Sequence, residues 1–561
     1  MLRRPTQLRI KALPAAVLAC VAISSPAFDQ DASKLIDLRI LAINDFHGYL
    51  EPPPGGIRIV DPGDPSKKIA VAAGGSERMA TLVRQLRGEV KNSIFVAAGD
   101  LIGASPFLSA MFHDEPTVEA LSRMGLDIAS VGNHEFDEGK TELLRMQNGG
   151  CHPVDGCQGP HPFAGATYHY LAASTVEKSS GRPIFPAYEV REFDGIPVAF
   201  IGLTLKETAN IVLPSGIADV EFKDEVQTVN AATAELKARG VNAVIVLIHQ
   251  GGTPSGDYNE CPAITGPIVD LVRKFDKAVD LVISGHTHQA YVCTVDGRLV
   301  TSADKYGTLL TQIDVKLDPV SRDIVSAKAN NLIIRTDAYA KEPAQSELIA
   351  SFDRLAGPIA SRPVGAITAT LSRLPNQAGE SVLGDIIADA QLAATQADSG
   401  GGAALAFTNP GGVRTDIVMK PAGNVTYADI FASQPFRNQL VTLTLTGDGI
   451  RQALEQQWLD PSRPRILQVS KGFRYHWDAQ RAFGQHVLPE SMMLNGIPIE
   501  PSRPYRVTIN NYLADGGDGF TAFKSGANRR IGPFDVDALD AYFKANSPVA
   551  PLALDRIVRL N

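Results

Sequence analysis

Five apolar runs in the first half of the chain each lead into side chains of the kind that bind metal ions. The runs cover residues 38–43, 93–98, 127–131, 244–248 and 281–284, and each has the composition of a buried strand. The blocks that follow them are Asn44–Gly48, Gly99–Asp100, Gly132–Glu135, His249 and Gly285–His288. Ligands at the carboxyl ends of strands meet at one edge of a sheet. The pattern therefore predicts an α/β fold in which these blocks converge.

The mixture of carboxylate, imidazole and amide ligands suits a pair of divalent ions such as Zn, Mn or Co. Asp100 follows an apolar strand and a glycine, so its carboxylate lies at a strand tip, where two oxygens can bridge two ions. Each block alone has an ordinary interpretation. Asp45-x-His47 is a common turn sequence, and His249 by itself would more often be a buried, hydrogen-bonded imidazole. The shared position at strand ends favours a dinuclear site.

In order and content, the five blocks resemble those of the calcineurin-like metallophosphoesterases. The resemblance implies that one ion is held by Asp45, His47, Asp100 and His288, and the other by Asp100, Asn133, His249 and His286. It also implies that His134 and Asp137 form a catalytic pair beside the ions. A carboxylate three residues beyond the imidazole can fix its tautomer and raise its basicity. The alternative is that Asp137 caps a following helix over residues 138–146.

The second half of the chain resembles the C-terminal domain of the 5′-nucleotidases. The blocks that carry this resemblance are Asn409–Arg414, Gln434–Phe436 and Asn511–Phe520. The resemblance implies that Asn409 and Arg414 lie in the substrate site, that Phe436 and Tyr512 sandwich the base, and that Asp518 binds the ribose hydroxyls. An arginine fork suits a phosphate, and stacking on aromatic rings tolerates different bases. Without the family, Phe436 would be a core residue and Arg414 a surface ion pair.

One position departs from the family pattern. The family commonly has another phosphate-binding arginine just before the helix that matches residues 380–390, where this chain reads Gly379-Glu380-Ser381. The nearest candidate is Arg373, several residues earlier. We therefore expect the phosphate grip to be weaker or differently built, which keeps other phosphate esters open as substrates.

The length of 561 residues is too great for one hydrophobic core. The resemblance implies an N-terminal metallophosphoesterase β-sandwich flanked by helices (α/β/β/α) over residues 36–335, a linker helix over 336–360 and a separate α+β C-terminal substrate-binding domain over 361–561. Local patterns predict helices at 75–87, 224–239 and 381–397, and strands at 403–407, 440–446 and 505–510. Gly/Pro-rich stretches at 52–64 and 149–166 predict surface loops.

The N-terminus has the pattern of an export signal over residues 1–27. Basic residues precede the apolar stretch 12–23, and Ser25-Pro26-Ala27 offers small residues for cleavage. We expect a periplasmic or secreted protein. A buried first helix is one alternative, and a lipid anchor at Cys20 in the loose lipobox Val17–Cys20, at the cell envelope, is another. No later apolar run is long enough to predict a membrane span.

Four cysteines remain after the signal, at positions 151, 157, 261 and 293. In an exported protein they predict two disulfides, and three pairings are possible. We expect Cys151–Cys157, because these two lie close together in a Gly/Pro-rich loop, and Cys261–Cys293, which would bracket the 285–288 block. Free thiols are the alternative, and no CxxC pair favours a cysteine-bound zinc.

The net charge of −8 and the lack of a dense basic run argue against binding of long nucleic acid. Together the resemblances imply an exported enzyme that cleaves nucleoside 5′-monophosphates to nucleoside and phosphate by attack of a metal-activated hydroxide. The alternatives are a 2′,3′-cyclic-nucleotide phosphodiesterase/3′-nucleotidase, a UDP-sugar hydrolase, and a nucleotide-binding protein with vestigial catalysis. The sequence leaves the native metals, the base preference and the oligomeric state open.

Overall fold

The structure is a computed structural model that describes residues 35–561. The first half of the chain forms two six-stranded sheets. In order across the first sheet, the strands are Asp323–Ile333, Leu309–Asp318, Ile36–Ile43, Ser93–Ala98, Ile128–Ser130 and His169–Leu171. Across the second they are Ala290–Val295, Arg298–Ala303, Leu281–Ser284, Ala243–His249, Ile196–Thr204 and Tyr188–Phe193.

The two sheets pack face to face, and helices cover their outer faces. Side chains such as Ile40 and Val96 of the first sheet share one core with Phe200 and Leu247 of the second. The helices Ser76–Gly88, Glu115–Met124 and Lys140–Asn148 contribute to a core on the first sheet, and Glu225–Ala238 and Pro267–Lys274 to a core on the second. This is the predicted α/β/β/α sandwich.

Within each sheet, the strands that precede the ligand blocks run parallel to one another. Ile36–Ile43, Ser93–Ala98 and Ile128–Ser130 run parallel in the first sheet, as do Ala243–His249 and Leu281–Ser284 in the second. All five predicted strands are present, within two residues of their expected bounds. Because parallel strands end at the same edge, their ligand blocks are delivered to one rim of the sandwich.

The second half of the chain forms a separate mixed sheet with helices. Its five strands, in order, are Gln468–Val469, Leu405–Thr408, Pro504–Asn510, Gln439–Thr446 and Ala527–Phe534. A four-stranded sheet contains Ile497–Pro498, Met493–Leu494, Phe473–Asp478 and Ile557–Leu560. The helices of this half are Val382–Thr395, Tyr427–Ser433, Gly447–Glu455, Asn511–Ala514 and Asp535–Asn546. The predicted 381–397 helix begins where Ser381 caps it by accepting the N–H of Gly384 at 3.2 Å.

A long helix, Pro343–Ala360, connects the halves and lies within the predicted linker 336–360. Its Leu348 and Phe352 belong to a core that also contains Phe112 from the first half and Phe543 from the second. The helix is thus packed against both halves. The domain boundaries expected from sequence, at residues 335/336 and 360/361, remain a prediction.

One loop prediction was wrong. Residues 52–64 were expected to be irregular, but Ile57–Asp61 pairs with Asp64–Val71 in an antiparallel hairpin. Most of the second strand is exposed, so it lacks the apolar alternation that would reveal it.

Other two-stranded pairs are Thr175–Glu177 with Val220–Phe222, and Pro363–Ala366 with Asn424–Thr426. The remaining short helices of the first half are Phe107–Ala110 and Thr208–Ile211.

Both predicted disulfides, Cys151–Cys157 and Cys261–Cys293, are present. The predicted loop at 149–166 is free of helices and strands. No helix within residues 35–561 has the length and hydropathy needed to cross a membrane. The predicted signal at 1–27 and the anchor position Cys20 lie outside the described residues.

Candidate active site

The structure brings all seven predicted ligands together at one edge of the sandwich. We call this set the donor cluster: Asp45, His47, Asp100, Asn133, His249, His286 and His288. The Nε2 atom of His288 lies 3.0 Å from Nε2 of His47 and 3.3 Å from an oxygen of Asp45. On the other side, the side-chain oxygen of Asn133 lies 3.0 Å from His286 Nδ1 and 3.2 Å from His249 Nε2.

Asp100 lies between the two sides of the donor cluster. Its Oδ2 atom is 2.9 Å from His249 Nε2 and 3.7 Å from His47 Nε2. Its other oxygen accepts the backbone N–H of His134 at 2.8 Å. The carboxylate is therefore placed as a bridging ligand between two ions would be.

Two of the imidazoles are oriented as metal binding requires. His47 donates its Nδ1–H to the carbonyl of Gly103 at 2.9 Å, and His249 donates its Nδ1–H to the carbonyl of Ala98 at 2.8 Å. Each ring therefore turns its Nε2 toward the donor cluster, where it can bind an ion once it carries no proton. Outer hydrogen bonds of this kind orient ligating histidines in metalloproteins.

The glycines that precede the ligands are required because neighbouring atoms lie where a side chain would begin. A Cβ atom on Gly132 would lie 2.2 Å from an oxygen of Asp100, and one on Gly99 would lie 2.7 Å from His249 Nδ1. Asp45, Asp100 and His286 have positive φ angles. Non-glycine residues rarely adopt this conformation, and such strain concentrates at functional sites.

The electrostatics of the donor cluster favour cation binding. Burial, reinforced by the charges of Lys305 and Arg414, lowers the pKa of His288 well below its ordinary value. Burial opposes the charge of His249, but Asp100 raises the pKa of His249 to about 9. A divalent ion competes with that proton, because a ligating imidazole is neutral. Two groups of these donors, Asp45 with His47 and His288 and Asp100 with His249 and His286, each have ligand atoms within 4.8 Å of one another and could hold a metal ion. A third such group joins His47 and Asp100 to the neighbouring His134.

His134 and Asp137 form the predicted pair beside the donor cluster. Nδ1 of His134 lies 2.8 Å from a carboxylate oxygen of Asp137. Burial opposes the charge of His134, but Asp137 and Asp100 raise its pKa above the ordinary value. The following helix begins at Lys140 and no side chain caps it, so the capping role for Asp137 is wrong.

Glu135 has a role that the sequence did not reveal. Its buried carboxylate accepts the backbone N–H groups of Asp100 at 2.9 Å, Leu101 at 2.7 Å and Gly132 at 2.6 Å. It thereby ties together the two loops that present Asp100 and Asn133. Burial and the nearby charge of Asp100 raise the pKa of Glu135 to about 7. The available signal was a glutamate at the end of a ligand block.

The opposite side of the cleft carries the predicted substrate residues, which we call the nucleoside wall: Asn409, Arg414, Phe436, Tyr512 and Asp518. Asn409 donates to one oxygen of Asp518 at 3.0 Å, and the hydroxyl of Tyr512 donates to the other at 3.0 Å. The same hydroxyl accepts the backbone N–H of Asp518 at 2.9 Å. The hydroxyl group of Tyr512 therefore holds Asp518 in place.

Phe436 and Arg414 face the donor cluster. The Phe436 ring is stacked on the His134 imidazole with centroids 5.8 Å apart, and the Arg414 guanidinium lies over Phe436 at 5.7 Å. Phe436 is half-buried, so it is a cleft residue and not a core residue. Within residues 35–561, Arg414 makes no salt bridge, which leaves its charge for a ligand.

Arg373 lines the same cleft as Arg414. Gly379, in the stretch where the sequence departs from the family pattern, has no room for a side chain, because a Cβ there would lie 2.5 Å from Ile466. The neighbouring Glu380 is buried and accepts the backbone N–H of Arg556 at 2.9 Å. Arg373 therefore stays the predicted second phosphate-binding arginine, although Arg437, Arg463 and Arg465 line the same cleft.

The donor cluster and the nucleoside wall line one cleft of about 820 Å³. Asp100, Asn133, His286 and His288 open into it from the first half of the chain, and all five nucleoside-wall residues from the second. Binding clefts commonly lie between domains, with a few convergent polar groups. A ligand in this cleft touches both halves.

Comparison with known proteins agrees with this architecture. The family model for calcineurin-like phosphoesterases matches residues 38–290, and that for the 5′-nucleotidase C-terminal domain matches residues 360–525. The sandwich and its ligand edge therefore define the class of calcineurin-like phosphoesterases. The chain belongs to the branch of that family that carries a 5′-nucleotidase C-terminal domain.

Individual relatives are similar along almost the whole chain. Endonuclease YhcR of Bacillus subtilis is 34% identical over 92% of this chain, and cell wall protein Lmo0130 of Listeria monocytogenes is 31% identical over 88%. The chain spans only 40% and 65% of the lengths of these two relatives. The crystal structure of a 5′-nucleotidase precursor from Thermus thermophilus matches with a TM-score of 0.75 at 26% identity, covering 94% of this chain and 100% of that one.

Proposed function

We propose that the protein is an exported dinuclear-metal phosphohydrolase that cleaves nucleoside 5′-monophosphates to nucleoside and phosphate. One observation carries this proposal. The donor cluster, suited to a phosphoryl group, and the nucleoside wall, suited to a ribose and a base, line the same cleft. A nucleoside monophosphate is the simplest molecule that uses both.

The donor set fits two divalent ions such as Zn, Mn or Co, since it combines carboxylate, imidazole and amide ligands. Asp45, His47, Asp100 and His288 would hold one ion, and Asp100, Asn133, His249 and His286 the other. When bound, two such ions neutralise phosphoryl charge and activate the attacking water. The outward hydrogen bonds of His47 and His249 keep their inner nitrogens free for this role.

The chain's own residues complete the reaction. The His134 imidazolium, held by Asp137 at 2.8 Å, is placed to stabilise phosphoryl oxygens and to protonate the leaving 5′-oxygen. Arg414 and Arg373 supply fixed positive charge to the phosphate. Asp518 accepts hydrogen bonds from the ribose, while Phe436 and Tyr512 stack on the base.

The test is a substrate panel on the purified, metal-analysed protein. Release of phosphate from AMP, other 5′-monophosphates, ADP, a UDP-sugar and 2′,3′-cyclic AMP would be measured. We expect 5′-monophosphates to give the highest kcat/KM, with about two equivalents of metal per chain. Tight AMP binding without phosphate release would establish the nucleotide-binding alternative instead.

Phosphodiester cleavage is a second candidate function. The relative with 34% identity is named an endonuclease, and the cleft edge next to Asp518 carries Arg463 and Arg465. Arg465 donates to the backbone carbonyl of Asp518 at 3.1 Å. A single-stranded oligonucleotide included in the panel decides this: its cleavage at a rate matching AMP would favour the second candidate.

Export is also part of the proposal. Two disulfides require an oxidising compartment, and one relative is named a cell wall protein. Fractionation of cells expressing the full chain, followed by N-terminal sequencing, would locate it. A new N-terminus after Ala27 supports a cleaved signal, and a lipid-modified Cys20 supports the anchored alternative.

A further inference from the structure

A second histidine and carboxylate cluster lines the cleft outside the donor cluster. Its members are His113, Glu138, Glu142, His152 and Asp155. Nδ1 of His113 lies 2.8 Å from an oxygen of Glu138, and its Nε2 lies 3.0 Å from an oxygen of Asp155. His113 itself is 6% exposed at the side chain. Because carboxylate oxygens only accept hydrogen bonds, both ring nitrogens must donate, and the ring is an imidazolium.

The geometry of this cluster favours a proton over a metal ion. Ligand atoms of four members, His113, Glu138, Glu142 and His152, lie within 4.8 Å of one another, as in the donor cluster. However, the rings of His113 and His152 are stacked 3.8 Å apart at 7°, whereas ring pairs of the donor cluster cross at 72° and 73°. Nδ1 of His152 accepts the backbone N–H of Asp155 at 3.0 Å, so its inner Nε2 carries the proton and cannot ligate.

The His113 bridge is connected to the proposed catalytic pair. Glu138 directly follows Asp137, whose carboxylate holds His134 at 2.8 Å. On its other side, His113 reaches Asp155 in the loop closed by the Cys151–Cys157 disulfide. The bridge therefore ties the turn behind His134 to a covalently closed loop.

The residue after His113, Asp114, is connected to the donor cluster through the backbone of Gly103. Asp114 accepts the backbone N–H of Gly103 at 3.0 Å, and the carbonyl of Gly103 accepts the Nδ1–H of His47 at 2.9 Å. His113 and Asp114 both have positive φ angles, of 52° and 63°. Two successive side chains in this strained conformation are costly unless the contacts require them. One short left-handed segment thus supports both the metal-ligand loop and the turn of the catalytic pair.

We propose that His113 is a positioning residue, whose imidazolium fixes the Asp137–Glu138 turn against the disulfide loop and thereby orients His134 for phosphoryl transfer. This inference rests on the proposed hydrolase function. It assigns a role to a charged bridge that touches neither substrate nor the donor cluster.

The charges around the bridge set its pH dependence. Burial opposes the charge on His113, but Glu138, Glu142 and Asp155 raise its pKa above the ordinary value. The other charged groups of this network are Glu115 and Arg145, bonded at 2.6 Å, and Arg437, which acts on Glu138. His152 is neutral. A raised pKa means that the bridge is intact at low pH and is lost as pH rises through the folded-state pKa of His113.

The experiment compares wild type with His113→Gln and Glu138→Gln, and uses His169→Gln as the matched control. His169 also pairs with a glutamate, at 2.9 Å, but is exposed on the surface. We expect kcat for AMP to fall about 10-fold in each cluster variant, as for orienting partners of active-site groups. KM and metal content should change little, and the control should match wild type. The double variant should lose no more than either single one, because both break the same bridge.

Thermal stability against pH and metal content together separate a positioning role of His113 from a metal-binding role. The excess thermal stability of wild type over His113→Gln should be largest near pH 6 and shrink as pH rises. The stability measurement does not depend on activity, so it remains decisive if the proposed hydrolase function fails. Loss of about one metal equivalent in His113→Gln would make the cluster an ion site and overturn the proposal. Unchanged kcat in a folded variant would overturn it as well.

Discussion

The donor cluster and the nucleoside wall face each other across one cleft but are built differently. Asp45, His47 and His249 are fully buried at the ends of parallel strands and are held by backbone groups. Phe436, Tyr512 and Asp518 are partly exposed on loops and short helical turns, where Tyr512 and Asp518 are hydrogen-bonded to each other and Phe436 is stacked on His134. The comparison teaches that the backbone of the fold positions the donor cluster, whereas contacts between side chains position the nucleoside wall.

This difference predicts two kinds of mutational effect. Changes in the donor cluster should lower hydrolysis of every phosphate ester, because all of them need the same ions. Changes in the nucleoside wall should lower hydrolysis of nucleotides and spare small esters. The predictions below proceed from the largest expected effect to the smallest.

Asp100→Asn should abolish most activity on all substrates. Loss of the bridging carboxylate removes stabilisation of several kcal/mol, which corresponds to about 10³-fold or more in rate. Steady-state kinetics with AMP and glycerol 2-phosphate, together with metal analysis, would measure this. Asp37→Asn, at an exposed surface pair with Lys316, is the matched control. A fully active Asp100→Asn protein would contradict the dinuclear site.

His134→Gln should lower kcat by about 10²–10⁴-fold on both kinds of substrate, while leaving the metal content near that of wild type. The reason is that His134 lies beside the donor cluster and bonds Asp137 rather than an ion. Parallel loss of metal and activity would instead make His134 a ligand.

Tyr512→Phe should have a small effect confined to nucleotides. The substitution keeps the ring but removes two hydrogen bonds to Asp518, at 3.0 and 2.9 Å. Each bond is worth about 0.5–1.5 kcal/mol. Because these bonds orient Asp518 and do not touch the substrate, only part of this energy is lost from binding, so KM for AMP should rise up to about tenfold with little change in kcat. The effect should be weaker for a nucleotide that lacks both ribose hydroxyls. An equal rise for both nucleotides would mean that Asp518 does not read the ribose.

The two regions were also predictable to different degrees. Each block of the donor cluster could be placed at one edge of the sandwich from sequence, because it follows an apolar strand and parallel strands end together. For Phe436 and Tyr512, only resemblance indicated a role, since half-buried loop residues carry no periodic pattern. The stack of Phe436 on His134 joins residues from different halves of the chain, so no local signal exists for it. The 57–71 hairpin was missed for a similar reason, because its exposed strand lacks alternation.

The central claim is that the second half of the chain selects nucleotides for a metal site built by the first half. The most direct test is the ratio of kcat/KM for AMP to that for glycerol 2-phosphate, measured in wild type and in the Phe436→Ala, Tyr512→Ala double variant. Phe483→Ala, at an exposed phenylalanine outside the cleft, is the control.

Stacking is worth about 1–3 kcal/mol per aromatic, so kcat/KM for AMP should fall about 10²-fold or more in the double variant. The value for glycerol 2-phosphate should remain within about threefold of wild type, because this ester has no base to stack. The ratio of kcat/KM for AMP to that for glycerol 2-phosphate would then fall sharply in the double variant. If both substrates fall equally, Phe436 acts through His134 and not through the base, and the claim that the nucleoside wall selects the substrate is contradicted.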